Sequence, residues 1–268
     1  MLAGLSQINV ELSSVCKKKT KCGFCGHQDP AIHPNLKPGQ MTRGLMHVLA
    51  DELRPLGKSL VLQAHRDGDP LDASDLGYFL ERFRAHLRSL VTHGETLAEK
   101  AHEVIDNCEA ITVSIFRGDP DQAIQLAALE QFLSIKGDRL PRVYLKIVGG
   151  MSDGDLQPYV RLGVPFLSRR LHLPESNRKY TGGVPLMPEH GVCLDLLSHP
   201  SVAWDGRVYL CNRLDTTDRG VIGNVMTETL DSIWNGPLRR QAITHHLHGR
   251  RSEVPSCAGC QYYGIPAS

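Results

Sequence analysis

The sequence lacks a long apolar run, a large net charge and any internal repeat. None of the apolar stretches in its 268 residues approaches the roughly 18 residues of a membrane span. Its 30 basic and 29 acidic residues nearly cancel, so no nucleic-acid or anionic-membrane surface is indicated. The N-terminus has neither a basic segment nor a long apolar segment, and Glu11 interrupts it, which argues against a secretion signal. We therefore expect a cytoplasmic protein with no nucleic-acid and no membrane partner.

The eight cysteines are the strongest chemical signal in the chain. Seven of them fall in two groups near the ends, a pattern typical of metal or iron–sulfur ligation rather than of disulfides. The first group has the spacing C-x5-C-x2-C and consists of Cys16, Cys22 and Cys25. The second group consists of Cys193, Cys211, Cys257 and Cys260. Cys108 stands apart from both groups, and we expect it to be a small buried side chain.

Strand-like and helix-like runs alternate six times up to about residue 172. This alternation predicts a parallel sheet with helices packed outside it, either curled into a barrel or open and doubly wound. Two helix starts are visible. Thr42 precedes apolar residues at helical spacing, and Ser74 precedes a similar run that extends to Leu87. Both residues are predicted N-caps.

The turns after the first three predicted strands carry the polar and cysteine residues. The cysteine loop follows the first strand, the turn at 67–71 follows the second, and the turn at 93–95 follows the third. Parallel α/β folds bind ligands at the carboxyl ends of their strands. These three turns should therefore meet at one rim, which favours an active site there. We expect Lys17 to Lys21 to form a solvated loop, which could alternatively steer an acidic electron donor.

The pattern changes after residue 173, where prolines and glycines indicate a linker. The tail then predicts a hairpin about Asp205-Gly206 and one helix through Leu230, Trp234 and Leu238. So small a region has little core, and a bound metal would stabilise it. We predict two domains, residues 1–175 and 176–268. The tail histidines are expected to be exposed; they are His245, His246 and His248.

The first cysteine motif resembles the iron–sulfur loop of the radical S-adenosylmethionine (SAM) superfamily. In that family three cysteines hold a 4Fe–4S cluster whose fourth iron binds SAM. The commoner spacing is C-x3-C-x2-C, so this chain has two extra residues in the first gap. Phe24 precedes the last cysteine, as an aromatic residue does in relatives. The resemblance covers roughly residues 6–172 and implies a partial (β/α)6 barrel.

Two further positions resemble the SAM contacts of that superfamily. Gly68-Asp69-Pro70 is similar to the family's Gly-Glu-Pro turn, which holds the amino group of SAM. Ser114, on the fourth predicted strand, stands where relatives have a serine that contacts the SAM ribose or carboxylate. The resemblance therefore implies a cofactor-binding role for Phe24, Gly68, Asp69, Pro70 and Ser114.

The tail resembles the auxiliary-cluster domain called SPASM, or its shortened form, twitch. The spacing Cys193-x12-Gly206-x4-Cys211 and the segment Leu230-Asp-Ser-Ile-Trp-Asn235 fit that domain. Four cysteines suffice for one additional 4Fe–4S cluster. The overall fold class implied is α/β, a partial (β/α)6 radical SAM barrel plus a small C-terminal twitch/SPASM-like domain with a β-hairpin and helix. The spacing is similar to that of the 2-deoxy-scyllo-inosamine dehydrogenases, which oxidise an aminocyclitol alcohol.

These resemblances imply a radical SAM oxidoreductase that acts on a small aminocyclitol or sugar-like substrate. SAM and two 4Fe–4S clusters are the implied cofactors, and a flavodoxin- or ferredoxin-type protein is the implied electron donor. Candidate catalytic residues follow the strands or lie on them, namely His65, Lys146 and Arg170. Two alternatives stay open. One is a peptide-modifying SPASM enzyme, and the other is a zinc-stabilised binding module in which His27 completes the first cysteine group.

Overall fold

The computed structural model describes residues 2–18, 22, 25, 36–169, 192–212, 217–258 and 260. Within these ranges the strands β1 to β9 are Gln7–Val10, Val61–Ala64, Leu87–Thr92, Ala110–Ile115, Arg142–Val148, Phe166–Arg169, Ser201–Val202, Arg207–Tyr209 and Val221–Asn224. The α-helices α1 to α8 are Arg43–Leu53, Leu76–Arg82, Ala101–Val104, Gln122–Lys136, Asp153–Val160, Leu194–Ser198, Leu230–Trp234 and Pro237–Leu247.

The first six strands are parallel and lie side by side in chain order. This arrangement confirms the predicted (β/α)6 architecture. Strand β4 shows how the two faces differ: Ile111, Val113 and Ile115 are fully buried, whereas Thr112 and Ser114 on the opposite face are half-buried. Because strand side chains alternate between faces, the apolar residues pack into the core and the polar ones line the other face.

Helix α1 shows why the local sequence signals succeeded. Leu45, Leu49 and Leu53 recur at helical spacing and are buried in the core. The Thr42 hydroxyl accepts a hydrogen bond from the Leu45 backbone N–H at 3.2 Å, so the predicted N-cap is confirmed.

Helix α2 departs from the prediction at both ends. Asp75, not Ser74, occupies the N-cap position, and the Ser74 hydroxyl donates instead to Gln40 Oε1 at 2.8 Å. The helix ends at Arg82, and Leu87 is the first residue of β3, where it pairs with Val61 of β2. Pairing with the neighbouring strand therefore overrides the helical spacing of Leu87.

The tail extends the same sheet. Strand β7 pairs parallel with β1, matching Asn9 with Ser201, and β8 and β9 continue the sheet in antiparallel fashion. The β7–β8 turn contains Gly206 with a positive φ of 89°, which confirms the predicted hairpin. The tail hairpin is thus hydrogen-bonded directly to the first strand of the parallel sheet.

The single predicted tail helix is wrong, because the chain forms two helices, α7 and α8. The break lies at Gly236, and Pro237 begins α8. Proline is favoured at a first helical position because its fixed φ suits a helix and its missing N–H is not needed there. Trp234 at the end of α7 is fully buried, and its Nε1 donates to the Ala3 carbonyl at 3.0 Å. This contact packs the tail against the N-terminal segment.

The predicted boundary between residues 175 and 176 lies outside the described residues, so the domain division stays a prediction. Among the described helices, none combines the length and the apolar character needed to cross a membrane.

Candidate metal centres

The turns after β1, β2 and β3 meet at one rim, as the sequence predicts. The Asp69 backbone N–H donates to the Val15 carbonyl at 3.0 Å, which links the second turn to the start of the cysteine loop. The Asp69 carboxylate accepts hydrogen bonds from the Thr92 hydroxyl and the His93 backbone N–H, both at 2.8 Å, which links it to the third. A single aspartate therefore holds the three turns together.

Gly68 is required where this rim is tightest. A Cβ atom at position 68 would lie 2.1 Å from the Ser13 carbonyl oxygen and 2.6 Å from that of Val15. Both obstructing atoms belong to the backbone and cannot rotate away. The glycine thus permits the close approach of the second turn to the cysteine loop.

The three head cysteines, Cys16, Cys22 and Cys25, are each half-buried. Burial, with a smaller contribution from the neighbouring Cys25, raises the pKa of Cys16 and of Cys22 to about 12. This mutual influence requires thiols that lie near one another. A bound metal reverses the effect of burial by stabilising the thiolates. Three soft sulfur donors fit an iron–sulfur cluster with one iron left for another ligand.

Two residues beside Cys16 were not foreseen as part of this site. Ligand atoms of Cys16, Asp72 and His93 all lie within 4.8 Å of one another. The Asp72 carboxylate also accepts a hydrogen bond from the Lys17 backbone N–H at 2.7 Å. Asp72 and His93 both follow strands that end at the rim, so the argument used for the turns could have identified them.

The expectation of a solvated lysine loop is wrong for Lys18. Its side chain is only 2% exposed, and its ammonium group forms ion pairs with three carboxylates. The partners follow β3 and β4 and are Glu95, Asp119 and Asp121. Lys17, by contrast, is exposed as predicted.

The face of the sheet opposite the apolar core, called the open face below, carries two of the predicted site residues. Ser114 of β4 and Lys146 of β5 are direct partners in the sheet register, and both are half-buried. His65 follows β2, is also half-buried, and donates its backbone N–H to the Val10 carbonyl at 3.2 Å. Phe24 and Arg170 lie outside the described residues. Their roles and those of Ser114, Lys146 and His65 remain predictions.

A buried group of charges joins this rim to the tail hairpin. Glu11 is 2% exposed, and its two carboxylate oxygens accept hydrogen bonds from the backbone N–H groups of Asp67 and Trp204, each at 3.2 Å. Arg66 forms an ion pair with Asp67 and lies flat over the Tyr209 ring, 3.9 Å from its centroid. Burial, and then the charge of Asp67, raises the pKa of Glu11 to about 7.

The four tail cysteines line one cavity, although they come from distant parts of the chain. The cavity is lined by Cys193, Asp195, Leu196, Leu210, Cys211, His246, Arg251, Ser256, Cys257 and Cys260. Burial raises the pKa of Cys193, and it raises that of Cys257 to about 11; Cys260 adds to both shifts. Four sulfur donors around one cavity suit an iron–sulfur cluster or zinc, and both would be fully ligated by protein.

The expectation that all three tail histidines are exposed is wrong for two of them. The side chain of His245 is only 16% exposed, and His246 is buried. His246 is 2% exposed, lines the cysteine cavity, and accepts a hydrogen bond from the Cys193 backbone N–H through Nδ1 at 3.3 Å. Burial lowers its pKa to about 4. His248 is exposed, as predicted. His246 faces the cavity because α8 packs its inner side against the segment that begins at Cys193.

Comparison with known proteins agrees with this division into a head site and a tail site. Residues 193–261 match SPASM, an iron–sulfur cluster-binding domain, and the matched range includes all four tail cysteines. This match favours an iron–sulfur cluster over zinc in the tail. No curated protein sequence matches the chain.

The architecture and the domain match together define an α/β fold of six parallel strands with a C-terminal SPASM-type iron–sulfur domain. The fold is similar to that of BtrN, a radical SAM 2-deoxy-scyllo-inosamine dehydrogenase. The crystal structure of BtrN in complex with AdoMet and 2-DOIA has a TM-score of 0.64 and 18% sequence identity, covering 96% of this chain and 92% of BtrN. The structure of selenomethionine BtrN in an open conformation has a TM-score of 0.59 and 18% sequence identity, and the match covers 98% of this chain and 94% of BtrN.

Proposed function

We propose that this protein is a radical SAM dehydrogenase that oxidises an alcohol on a small aminocyclitol or sugar-like substrate. The observation that carries the proposal is the presence of two different cysteine sites on one chain. The head offers three thiols at the rim where strand ends meet, and the tail offers four thiols around one cavity. The first arrangement leaves a position for a reacting ligand, and the second leaves none.

In the head site, Cys16, Cys22 and Cys25 hold the cluster, and SAM binds beside it along the turn Gly68-Asp69-Pro70. The cluster and SAM, when bound there, would supply the radical chemistry that removes a hydrogen atom from the substrate. The chain's own task is to hold the cofactor against the rim. Asp69 supports this role because its carboxylate and backbone already fix the turn to both neighbouring turns.

Oxidation of an alcohol to a ketone removes one hydrogen atom, one proton and one electron. We assign the electron to the tail cluster held by Cys193, Cys211, Cys257 and Cys260, and the proton to a side chain on the open face of the sheet. Lys146 and His65 are candidates for that proton, because both are half-buried at or near the carboxyl ends of strands. Ser114 lies next to Lys146 in register and could orient SAM or substrate.

The substrate class rests on the similarity to BtrN, whose structure contains 2-DOIA. The similarity extends over nearly the whole of both chains, so it includes the barrel and the tail together. A flavodoxin- or ferredoxin-type protein is the proposed source of the electron that starts each cycle. The same cysteine sites would also serve a peptide-modifying enzyme, and the assay below separates the two substrate classes.

The decisive experiment is anaerobic incubation of the reconstituted protein with SAM, a reductant and either an aminocyclitol or a cysteine-containing peptide. We expect 5′-deoxyadenosine, together with a product two mass units lighter than the aminocyclitol. Cys22→Ala removes a ligand of the head cluster and should abolish 5′-deoxyadenosine. Cys108→Ala is the matched control, because Cys108 is buried in the barrel core apart from both sites and should leave cleavage intact.

Three outcomes contradict the proposal, and the third of them contradicts only its substrate class. Cleavage of SAM that persists in Cys22→Ala would show that the head cysteines do not hold the reacting cluster. A colourless protein that holds zinc and no iron after anaerobic reconstitution would leave a zinc-stabilised binding module. Oxidation of the peptide in place of the aminocyclitol would move the substrate class to peptides.

A further inference from the structure

Lys18 lies inside the first cysteine motif, in the five-residue gap between Cys16 and Cys22, and yet it is buried. Its Nζ atom lies 3.0 Å from Asp119 Oδ1 and 3.0 Å from Asp121 Oδ2, and it also forms an ion pair with Glu95. An ammonium group surrounded by three carboxylates in so enclosed a place is fixed in position, because no solvent competes for its hydrogen bonds.

The three carboxylates come from elsewhere in the fold. Glu95 follows β3 by three residues, and Asp119 and Asp121 lie in the turn between β4 and α4. In sequence, Glu95 is 77 residues and Asp121 is 103 residues away from Lys18. One side chain thus cross-links the loop after β1 to the ends of two other strands.

Two backbone contacts tie the start of the loop to the second turn. The Lys17 backbone N–H donates to Asp72, and the Val15 carbonyl accepts from Asp69. These bonds hold the loop at Cys16 on the side of β2. Lys18 holds it on the side of β3 and β4, so the loop is anchored from both sides at the point where it departs toward Cys22.

The ammonium group of Lys18 also balances the charges of its three carboxylate partners. Removing it would leave three carboxylates facing one another in an enclosed place. Their repulsion would displace the loop that leads to Cys22.

We propose that Lys18 is a positioning residue that anchors the cysteine loop to the ends of β3 and β4 and so holds Cys22 in place for the head cluster. The inference rests on the proposed function of that cluster. Lys18 itself is no cluster ligand and no catalytic residue.

The test compares Lys18→Met with Lys17→Met in the full chain after anaerobic reconstitution. Lys17 is adjacent and exposed, so it controls for loss of one positive charge in the same loop. Two quantities are measured: the iron content, about eight per chain for two 4Fe–4S clusters, and the change in the electron paramagnetic resonance spectrum on adding SAM, which reports the head cluster alone. We expect Lys18→Met to lose about half of the iron and to lower the SAM-dependent signal at least about tenfold.

Lys17→Met should match the wild type in both quantities, and Lys18→Arg, which keeps the cation, should recover part of the signal. If Lys18→Met matches Lys17→Met, the inference is wrong while the proposed function stands. If wild type itself shows no iron and no SAM-dependent signal, the proposed function is wrong.

If Lys18→Met fails to fold, the same two quantities are measured in Asp121→Asn, which removes one partner charge and keeps the lysine. A graded loss of the signal supports the anchor, and an unchanged signal overturns it.

Discussion

The head and tail cysteine sites differ in what surrounds their sulfur atoms. The tail thiols line a cavity together with Leu196 and Leu210, and the protein supplies four of them. The head thiols number three and lie among charged groups, with Asp72 and His93 beside Cys16 and the Lys18 cluster beside Cys22. The tail site therefore combines four thiols with two leucines and with polar side chains, which are Asp195, His246, Arg251 and Ser256. The head site has one thiol fewer, and carboxylates, a histidine and a lysine lie near its thiols.

This difference matches two different tasks for iron–sulfur chemistry. A cluster that only exchanges electrons is best fully ligated and kept from solvent, since burial and hydrogen bonds then fix its reduction potential. A cluster that binds a reacting cofactor needs an open coordination position and polar groups to orient the ligand. The two regions of this chain are built in these two ways, and three further changes test whether the tasks are divided accordingly.

The largest effect is expected from breaking the tail site alone. The double change Cys257→Ala with Cys260→Ala removes two ligands of the tail site and none of the head. We expect iron to fall from about eight to about four per chain. SAM cleavage should continue, while oxidised product falls more than about 100-fold because the electron has no acceptor.

Iron analysis and chromatography of 5′-deoxyadenosine and product measure both halves of this prediction. Cys108→Ala again serves as the control for loss of a buried thiol. Product formation that survives the double change would show that the tail does not accept the electron. Loss of SAM cleavage along with the product would mean that the two sites are not separable in task.

The second change disrupts the head cysteine site and leaves the tail cysteine site intact. In Gly68→Ala the new methyl group would overlap the carbonyl oxygens of Ser13 and Val15, so the second turn must move away from the cysteine loop. We expect the free energy of unfolding to fall by more than about 3 kcal/mol. The head iron should be lost while the tail iron is kept.

Gly150→Ala is the matched control, because a Cβ atom at position 150 meets no atom within 4 Å. Denaturant unfolding and iron content measure the two variants side by side. Equal stability and equal iron in both variants would show that the rim tolerates a wider turn than the structure indicates.

The sequence predicted those features that depend on neighbours along the chain. The Thr42 cap and the six strands are local patterns of hydrogen bonding and of alternating polarity, and the structure confirms them. Errors occurred where distant pairing decides the outcome: Leu87 has helical spacing but pairs with Val61 in the sheet. The break at Gly236-Pro237 was a local signal that could have been used.

The candidate sites divide in the same way. Cysteine spacing identified both groups, because a metal site often takes several of its cysteine ligands from positions close together in the sequence. The burial of Lys18 and His246 could not be predicted, since it depends on which turns and helices the fold brings together. Lys18 finds its partners 77 and more residues away, and His246 faces Cys193 across 53 residues. A polar residue in a loop gives no local sign of such a partner.

The smallest effect on stability is expected at Glu11, which links the two regions. Glu11 accepts hydrogen bonds from Asp67 at the rim and from Trp204 in the tail hairpin, and we call this contact the joint. One guanidinium, that of Arg66, serves both Glu11 and Asp67, and it lies closer to Asp67. Burial and the Asp67 charge therefore hold the pKa of Glu11 at about 7, above the ordinary value of 4.5.

The sign of the pH dependence follows from these two values. Between pH 4.5 and about 7 the unfolded chain has released the Glu11 proton and the folded chain still holds it. The folded state thus binds more protons, so the free energy of unfolding falls as pH rises through this window, by at most about 3 kcal/mol. Glu11→Gln cannot titrate and should lose this contribution. Unfolding measured at pH 5 and pH 8, the two reference conditions for this window, should show a smaller decline in the variant than in the wild type.

Taking the difference between the two proteins is essential, because buried His246, with its pKa lowered to about 4, acts in the opposite direction over part of the same range. That contribution is common to both proteins and cancels. An identical pH dependence in Glu11→Gln and wild type would show that Glu11 is ionised in the folded state. At the joint, a charged carboxylate would then accept the hydrogen bonds from Asp67 and Trp204, and its contribution to the free energy of unfolding would be about the same at pH 5 and at pH 8.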